Sequence, residues 1–91
     1  VRVELHPRLL KRARALSAAE RGQIAEALHA LRDGFGQPHL HSGLGIRRLR
    51  KDLFECRAGL QWRIVFFAEK GVLTAYDVMT HDEVKAWLRS F

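Results

Sequence analysis

The sequence predicts a small α+β domain: a mainly antiparallel four-stranded sheet with two N-terminal helices packed on one face and a short C-terminal helix, in the order β-α-α-β-β-β-α. Three observations predict it. Apolar residues recur at helical spacing between Leu9 and Phe35 and again between Val84 and Phe91. They alternate at strand spacing between Leu53 and Met79. The strand runs are joined by Gly59-Leu60 and by Glu69-Lys70-Gly71, connections too short for anything but antiparallel hairpins. Residues 1–91, 47% of them hydrophobic, make a single domain. A chain of this size buries roughly 60–65% of its unfolded surface, enough for a core without disulfides or a structural metal.

Taken in order, Val1, Val3 and Leu5 alternate with Arg2, Glu4 and His6, which is the period of a half-buried strand ended by Pro7. The first residue is Val rather than Met, which points to trimming or an alternative start and to a residue or two missing from this strand. Proline suits a first helical turn, and Leu9, Ala13 and Leu16 follow at i, i+4 and i+7 as the apolar stripe of a short basic helix. Ser17-Ala18-Ala19-Glu20 has capping-box spacing and opens a second helix, with Ile24, Leu28, Leu31 and Phe35 as its buried stripe and Gly34 and Gly36 as its end. The two helices form an αα-hairpin. From Phe35 to Leu44 breakers dominate and no period is sustained, so this stretch is expected to be a loop. Leu53–Ala58, Gln61–Ala68 and Val72–Met79 are the remaining strands. Thr80-His81-Asp82-Glu83 repeats the capping-box spacing ahead of Val84, Trp87, Leu88 and Phe91, the stripe of the last helix.

Charge narrows the function classes. Against 16 Lys and Arg stand 10 Asp and Glu, a net charge of +6, and the basic residues cluster: Arg8, Lys11, Arg12 and Arg14 early, Arg47, Arg48, Arg50 and Lys51 in mid-chain. Such clusters suit polyanions, an acidic partner protein, or simply a solvated face. The longest apolar stretch, Ile64 to Ala68, falls far short of the roughly 18 residues that span a bilayer, so no membrane partner is expected and the cytoplasm is the expected compartment. A lone Cys56 makes no internal bridge. No dinucleotide fingerprint, Gly-rich phosphate loop or nucleophile elbow is present, and no cofactor is implied.

The strands carry the informative polar residues. If Phe54, Cys56, Ile64 and Phe66 face the helices, then Glu55, Arg57 and Arg63 share the open side, with the two guanidiniums close on adjacent strands. Either Glu55 neutralises one of them on a solvated face, or the arginines form a phosphate clamp. His81 sits where the last strand hands over to the last helix. Imidazole is the side chain best suited to moving a proton near neutral pH, although a histidine in a capping turn is also an ordinary surface residue. His39 and His41 alternate as strand ligands of one ion would, but no second ligand pair accompanies them and no metal site is expected. Cys56 reads as strand core.

Ile46-Arg47-Arg48-Leu49, Leu53-Phe54-Glu55-Cys56-Arg57, Trp62-Arg63-Ile64-Val65-Phe66-Phe67 and Thr80-His81-Asp82-Glu83-Val84 together resemble the RelE/ParE superfamily of toxins from bacterial toxin–antitoxin pairs. The likeness covers the whole chain in element order. It implies one of two activities. Members resembling RelE are metal-independent, ribosome-dependent endoribonucleases that drive an mRNA 2′-hydroxyl onto its neighbouring phosphate, whereas the ParE branch inhibits DNA gyrase and lacks the catalytic set; a non-toxic regulatory relative is the further alternative. On the RelE reading Arg57, Arg63 and His81 match catalytic positions. Arg47, Arg48, Arg50 and Lys51 would steer RNA, and the partners would be mRNA, the ribosome and a cognate acidic antitoxin bound in a hetero-oligomer. Glu55 stands where some members carry lysine, and the last helix offers Trp87 and Phe91 where some carry tyrosine.

Overall fold

The computed structural model describes residues 1–91, the side chain of Ser42 excepted. The elements are β1 (Arg2–Leu5), α1 (Pro7–Arg14), α2 (Ala18–Gly34), α3 (Pro38–Leu44), β2 (Arg47–Arg50), β3 (Leu53–Ala58), β4 (Trp62–Glu69), β5 (Val72–Thr80) and α4 (His81–Arg89). They build one sheet in the order β1-β5-β4-β3-β2, in which β1 runs parallel to β5 and every other pair is antiparallel.

The sheet has five strands rather than the expected four. The added strand is β2, made from the basic run Arg47-Arg48-Leu49-Arg50, which forms an edge against β3 with a register shift between Arg48 and Arg50. Its apolar pattern is almost absent because an edge strand buries little, and charged side chains together with a bulge are what keep such an edge from pairing with other chains. A second correction concerns residues 35–44, where the expected loop contains α3. Pro38 supplies the preset φ of a first turn, and Leu44 packs on Gly34, where an added Cβ would stand 2.7 Å from the leucine Cδ1. His41 stacks on Phe35 at 5.6 Å, and its Nε2 accepts the Gly36 N–H at 3.0 Å. On a helix, moreover, His39 and His41 no longer share a face.

Both capping boxes form: Ser17 and Glu20 bond each other's backbone N–H at the start of α2, as do Thr80 and Glu83 at the start of α4. The helices α1 and α2 lie on one face of the sheet, α1 chiefly against β5 and α2 against β3 rather than as a self-contained hairpin. That face holds the main core, in which Leu9, Ile24 and Leu31 meet Cys56, Ile64, Phe66, Leu73 and Val78. Phe35 sets its edge on Phe54 and Phe66, which stack on each other at 5.6 Å.

The other face is only half covered, by α4, through Val65, Met79 and Val84 with Trp87 and Leu88 at the margin. A register shift makes this second cluster possible. Val65 pairs with Asp77 but Phe66 pairs with Ala75, so β5 carries one extra residue. The bulge reverses the alternation, and Tyr76 and Met79, three apart, join the same cluster. Among the described residues no helix is long and apolar enough to cross a membrane.

Candidate functional site

Where α4 leaves the sheet open, a cleft of about 280 Å³ is lined by Gly45, Ile46, Arg47, Glu55, Arg57, Arg63 and His81. Strand register builds it. Arg57 on β3 and Arg63 on β4 are direct cross-strand partners, and one step along β4 Trp62 pairs with Thr80, the N-cap of α4, so His81 arrives at the same end of the sheet. Like charges directly opposite on neighbouring strands disfavour the sheet, so a pair of arginines at this position is retained against a stability cost of about 0.2–1 kcal/mol. Arg63 is half-buried, with Nη1 donating to its neighbour's carbonyl, Trp62 O, at 3.2 Å, while Arg57 and His81 are exposed.

The wall facing Arg57 is the turn from α3 into β2. Gly45 has φ +68°, and a Cβ there would collide with the Arg57 side chain at Nε and stand 3.0 Å from its Cγ. Only glycine allows both the backbone conformation and the close approach of that turn to the arginine stem. Behind the cleft a polar chain ties the helix starts to the sheet. Trp62 Nε1 donates to Glu20 Oε2 at 2.7 Å, the Arg12 guanidinium lies 5.8 Å over the Trp62 ring, and Arg12 Nη2 pairs with Glu83 Oε2 at 3.0 Å. Both glutamates are held below the ordinary carboxylate range. For Glu20 the main cause is the Ser17 backbone N–H, followed by the Trp62 indole. For Glu83 it is the Thr80 backbone N–H, with Arg12 adding to it.

Glu55 does not neutralise Arg57 or Arg63. It pairs across the β2–β3 ladder with Arg47, Oε1 to Nη2 at 3.7 Å, and that oxygen is buried with no hydrogen-bond partner. Cys56 points the other way into the core, where burial first and the neighbouring Glu55 charge second push its thiol up to about 12, leaving it no nucleophile. The mid-chain basic run is divided. Arg47 enters the cleft, and Arg48 shares the helix-side face with its partner Phe54. Arg50 donates to Leu88 O near the end of α4 at 3.4 Å, and Lys51 is exposed in the turn before β3. The cleft role of Gly45 was missed from sequence, and only a glycine beside a strand start could have signalled it; Glu55 lies on the open face with Arg57 and Arg63 as expected, but its partner is Arg47. No group of three His, Cys, Asp or Glu side chains suited to a metal occurs among the described residues.

The same architecture occurs in known proteins. A chain of an archaeal RelE–RelB complex from Pyrococcus horikoshii superposes with a TM-score of 0.69 over 87% of this chain and 92% of that one, at 19% identity. The isolated RelE toxin of E. coli does so with a TM-score of 0.62 over 99% and 98%, at 18% identity. The chain has the fold of the RelE toxins. A RelB–RelE antitoxin–toxin complex from Methanococcus jannaschii gives a TM-score of 0.70 over 92% and 96%, at only 12% identity. No protein-family model matches the sequence, and no curated protein matches it significantly. The RelE likeness is therefore one of backbone architecture, and what the cleft does must be argued from its own side chains.

Proposed function

We propose that this chain is the toxin of a toxin–antitoxin pair and that it cleaves mRNA on the ribosome without a metal ion. The observation that carries the reading is the pairing of Arg57 with Arg63 in an open cleft rimmed by His81. Two guanidinium forks hold a phosphodiester and stabilise the extra negative charge of a pentacoordinate phosphorus. Arg63, the less exposed, takes the scissile phosphate, Arg57 assists or holds the adjacent one, and His81 moves a proton. Arg47, Arg48, Arg50 and Lys51 draw in RNA and ribosomal RNA electrostatically. The RelE–RelB complexes that share the fold support an antitoxin partner, and a net charge of +6 favours an acidic one that covers the cleft in a hetero-oligomer. The site of action is then the cytoplasm, where ribosomes and mRNA meet.

Single-turnover cleavage of ribosome-bound mRNA tests the assignment. Arg63→Ala is expected to lower the rate by about 10²–10³ with the fold intact, as removal of a transition-state donor does. His81→Ala is expected to lose a comparable part of the chemical step, while Arg50→Ala weakens binding with a shallower salt dependence and spares the chemistry. Unchanged rates in both Arg63→Ala and His81→Ala would remove the nuclease and favour a toxin that inhibits a protein target such as gyrase, to be read as a change in DNA supercoiling in the same cells.

A further inference from the structure

Each capping box uses one glutamate oxygen on its own helix and leaves the other for a second task. At the start of α2, Glu20 Oε1 accepts the Ser17 N–H at 3.0 Å, while Oε2 accepts from Trp62 Nε1 at 2.7 Å and from Gln61 Nε2 at 3.2 Å. At the start of α4, Glu83 Oε1 accepts the Thr80 N–H at 2.8 Å, while Oε2 accepts from Arg12 Nη2 at 3.0 Å. Capping needs only the first oxygen of each. The second oxygens go to two side chains that lie against each other, since the Arg12 guanidinium sits 5.8 Å over the Trp62 ring. Three helices and the first residue of β4 are thereby joined at one point behind the cleft.

Trp62 is the fixed member of this group, buried in the main core. Its carbonyl accepts from Arg63 Nη1 at 3.2 Å, and its backbone pairs with Thr80, the residue before His81. Arg63 and His81 are thus referred to the same residue, one by a hydrogen bond and the other through the cap of α4. Strand pairing fixes Thr80 but not the direction in which the chain leaves it. Val84, Trp87 and Leu88 seat α4 on the sheet along a single stripe, about which the helix can still roll. Glu83 lies beside that stripe, and its pairing with Arg12, 71 residues away along the chain, stops the roll. With side chains 32% and 44% exposed, the ion pair adds little to stability. What it adds is direction, because a planar guanidinium held between an indole and a carboxylate has little freedom left.

We propose that Arg12 is a positioning residue of the cleft: lying on Trp62 and paired with Glu83, it sets where His81 stands relative to Arg63. The inference rests on the ribonuclease reading above. Arg12 itself touches no substrate. His81 moves a proton of the same phosphodiester that Arg63 holds, so their separation enters the chemical step, and a shift of about 1 Å is enough to slow it about 10²-fold. Loss of the Arg12 cation and loss of the Glu83 anion then act in the same direction on the rate, and together no more than either alone. Simple charge would act in opposite directions, since removing a cation weakens the attraction for RNA and removing an anion strengthens it.

The test measures single-turnover cleavage of ribosome-bound mRNA, over a range of protein concentrations, by the parent chain, Arg12→Gln, Glu83→Gln, the double variant and Arg63→Ala. Thermal unfolding and the imidazole NMR signals of His81 are recorded for each. Glutamine serves at the third position of a capping box as glutamate does, so Glu83→Gln keeps its cap and its fold while losing the anion that holds Arg12. Each single variant is expected to lower the plateau rate by about 10–10² with the half-saturating concentration little changed, and the double variant no further. All three are expected to share one displaced set of His81 signals. Parent-like plateau rates in Arg12→Gln or Glu83→Gln, with Arg63→Ala strongly slowed, would leave the nuclease standing and overturn Arg12 as a positioning residue. So would losses that multiply in the double variant, slower cleavage with the His81 signals unmoved, or opposite shifts in half-saturation at an unchanged plateau. If the parent cleaves nothing, the nuclease reading and the positioning of its imidazole fall together.

Discussion

On one face of β3 and β4, Phe54, Cys56, Trp62, Ile64 and Phe66 lie under the helices in the main core; on the other, Glu55, Arg57 and Arg63 line an open cleft. The same two strands serve both, because successive residues point to opposite sides of a sheet. The difference teaches where stability and chemistry reside. The apolar face is packed and internally consistent, whereas the polar face holds a cross-strand pair of like charges and a buried orphan oxygen that no designer of a stable sheet would choose. One face supports the other's strain.

Substitutions should separate the two faces. The largest expected effect is on the packed side: Phe66→Ala removes a fully buried ring from a three-phenylalanine cluster and should cost about 3–5 kcal/mol, a large fraction of a small domain's stability. Urea unfolding should show a lower midpoint at nearly constant slope. Gly45→Ala sharpens the comparison, because it forces a side chain into a left-handed turn and against Arg57. About 1–2 kcal/mol of stability is expected to go, and with it the cleavage rate that the proposed function assigns to the cleft, since the arginine must shift. Arg57→Gln breaks the comparison in the other direction. Relieving the like-charge pair should leave stability unchanged or raise it by up to about 0.5 kcal/mol, even as the proposed cleavage of mRNA falls.

The smallest effect is expected from acid. Glu20 and Glu83 have folded pKa values below their unfolded ones, so their contribution is fully present above the ordinary glutamate range and is lost as pH falls through the lowered folded values. Unfolding midpoints measured from pH 6 down to pH 3 should decline for the parent. Glu20→Gln should flatten the decline while starting from a lower midpoint. A parent curve with no decline would remove the capping boxes from the account of stability.

Much of this was legible in the sequence, and the parts that were not share a cause. Leu9, Ile24 and Leu31 declared their helices by spacing, Ser17-x-x-Glu20 and Thr80-x-x-Glu83 declared the helix starts, and alternation in Leu53–Ala58 and Gln61–Ala68 put Arg57 beside Arg63 and opposite in sense to Phe54. Periodicity reports burial, so elements that bury little were missed. β2 has Leu49 as its only half-buried residue, and α3 is a short helix whose exposed residues carry no stripe. Missing β2 also hid the fate of Glu55, since Arg47 can reach that carboxylate only from a strand paired with β3. The bulge in β5 was equally silent, because it changes the phase of the alternation without changing composition.

The parallel pairing of β1 with β5 sets a timetable for the molecule. Arg2 finds Val72 and Leu5 finds Ala75 across some seventy residues of chain, α1 then rests on β5, and Arg12 reaches Glu83 at the start of α4. Contacts so distant along the chain close slowly, since the loop entropy is lost before any contact repays it. On a translating ribosome the first strand must wait, unpaired, until the fifth has emerged from the exit tunnel. The rim that carries His81 is completed in that same late step, so a nascent or truncated chain ending before residue 80 has the arginines but no finished cleft.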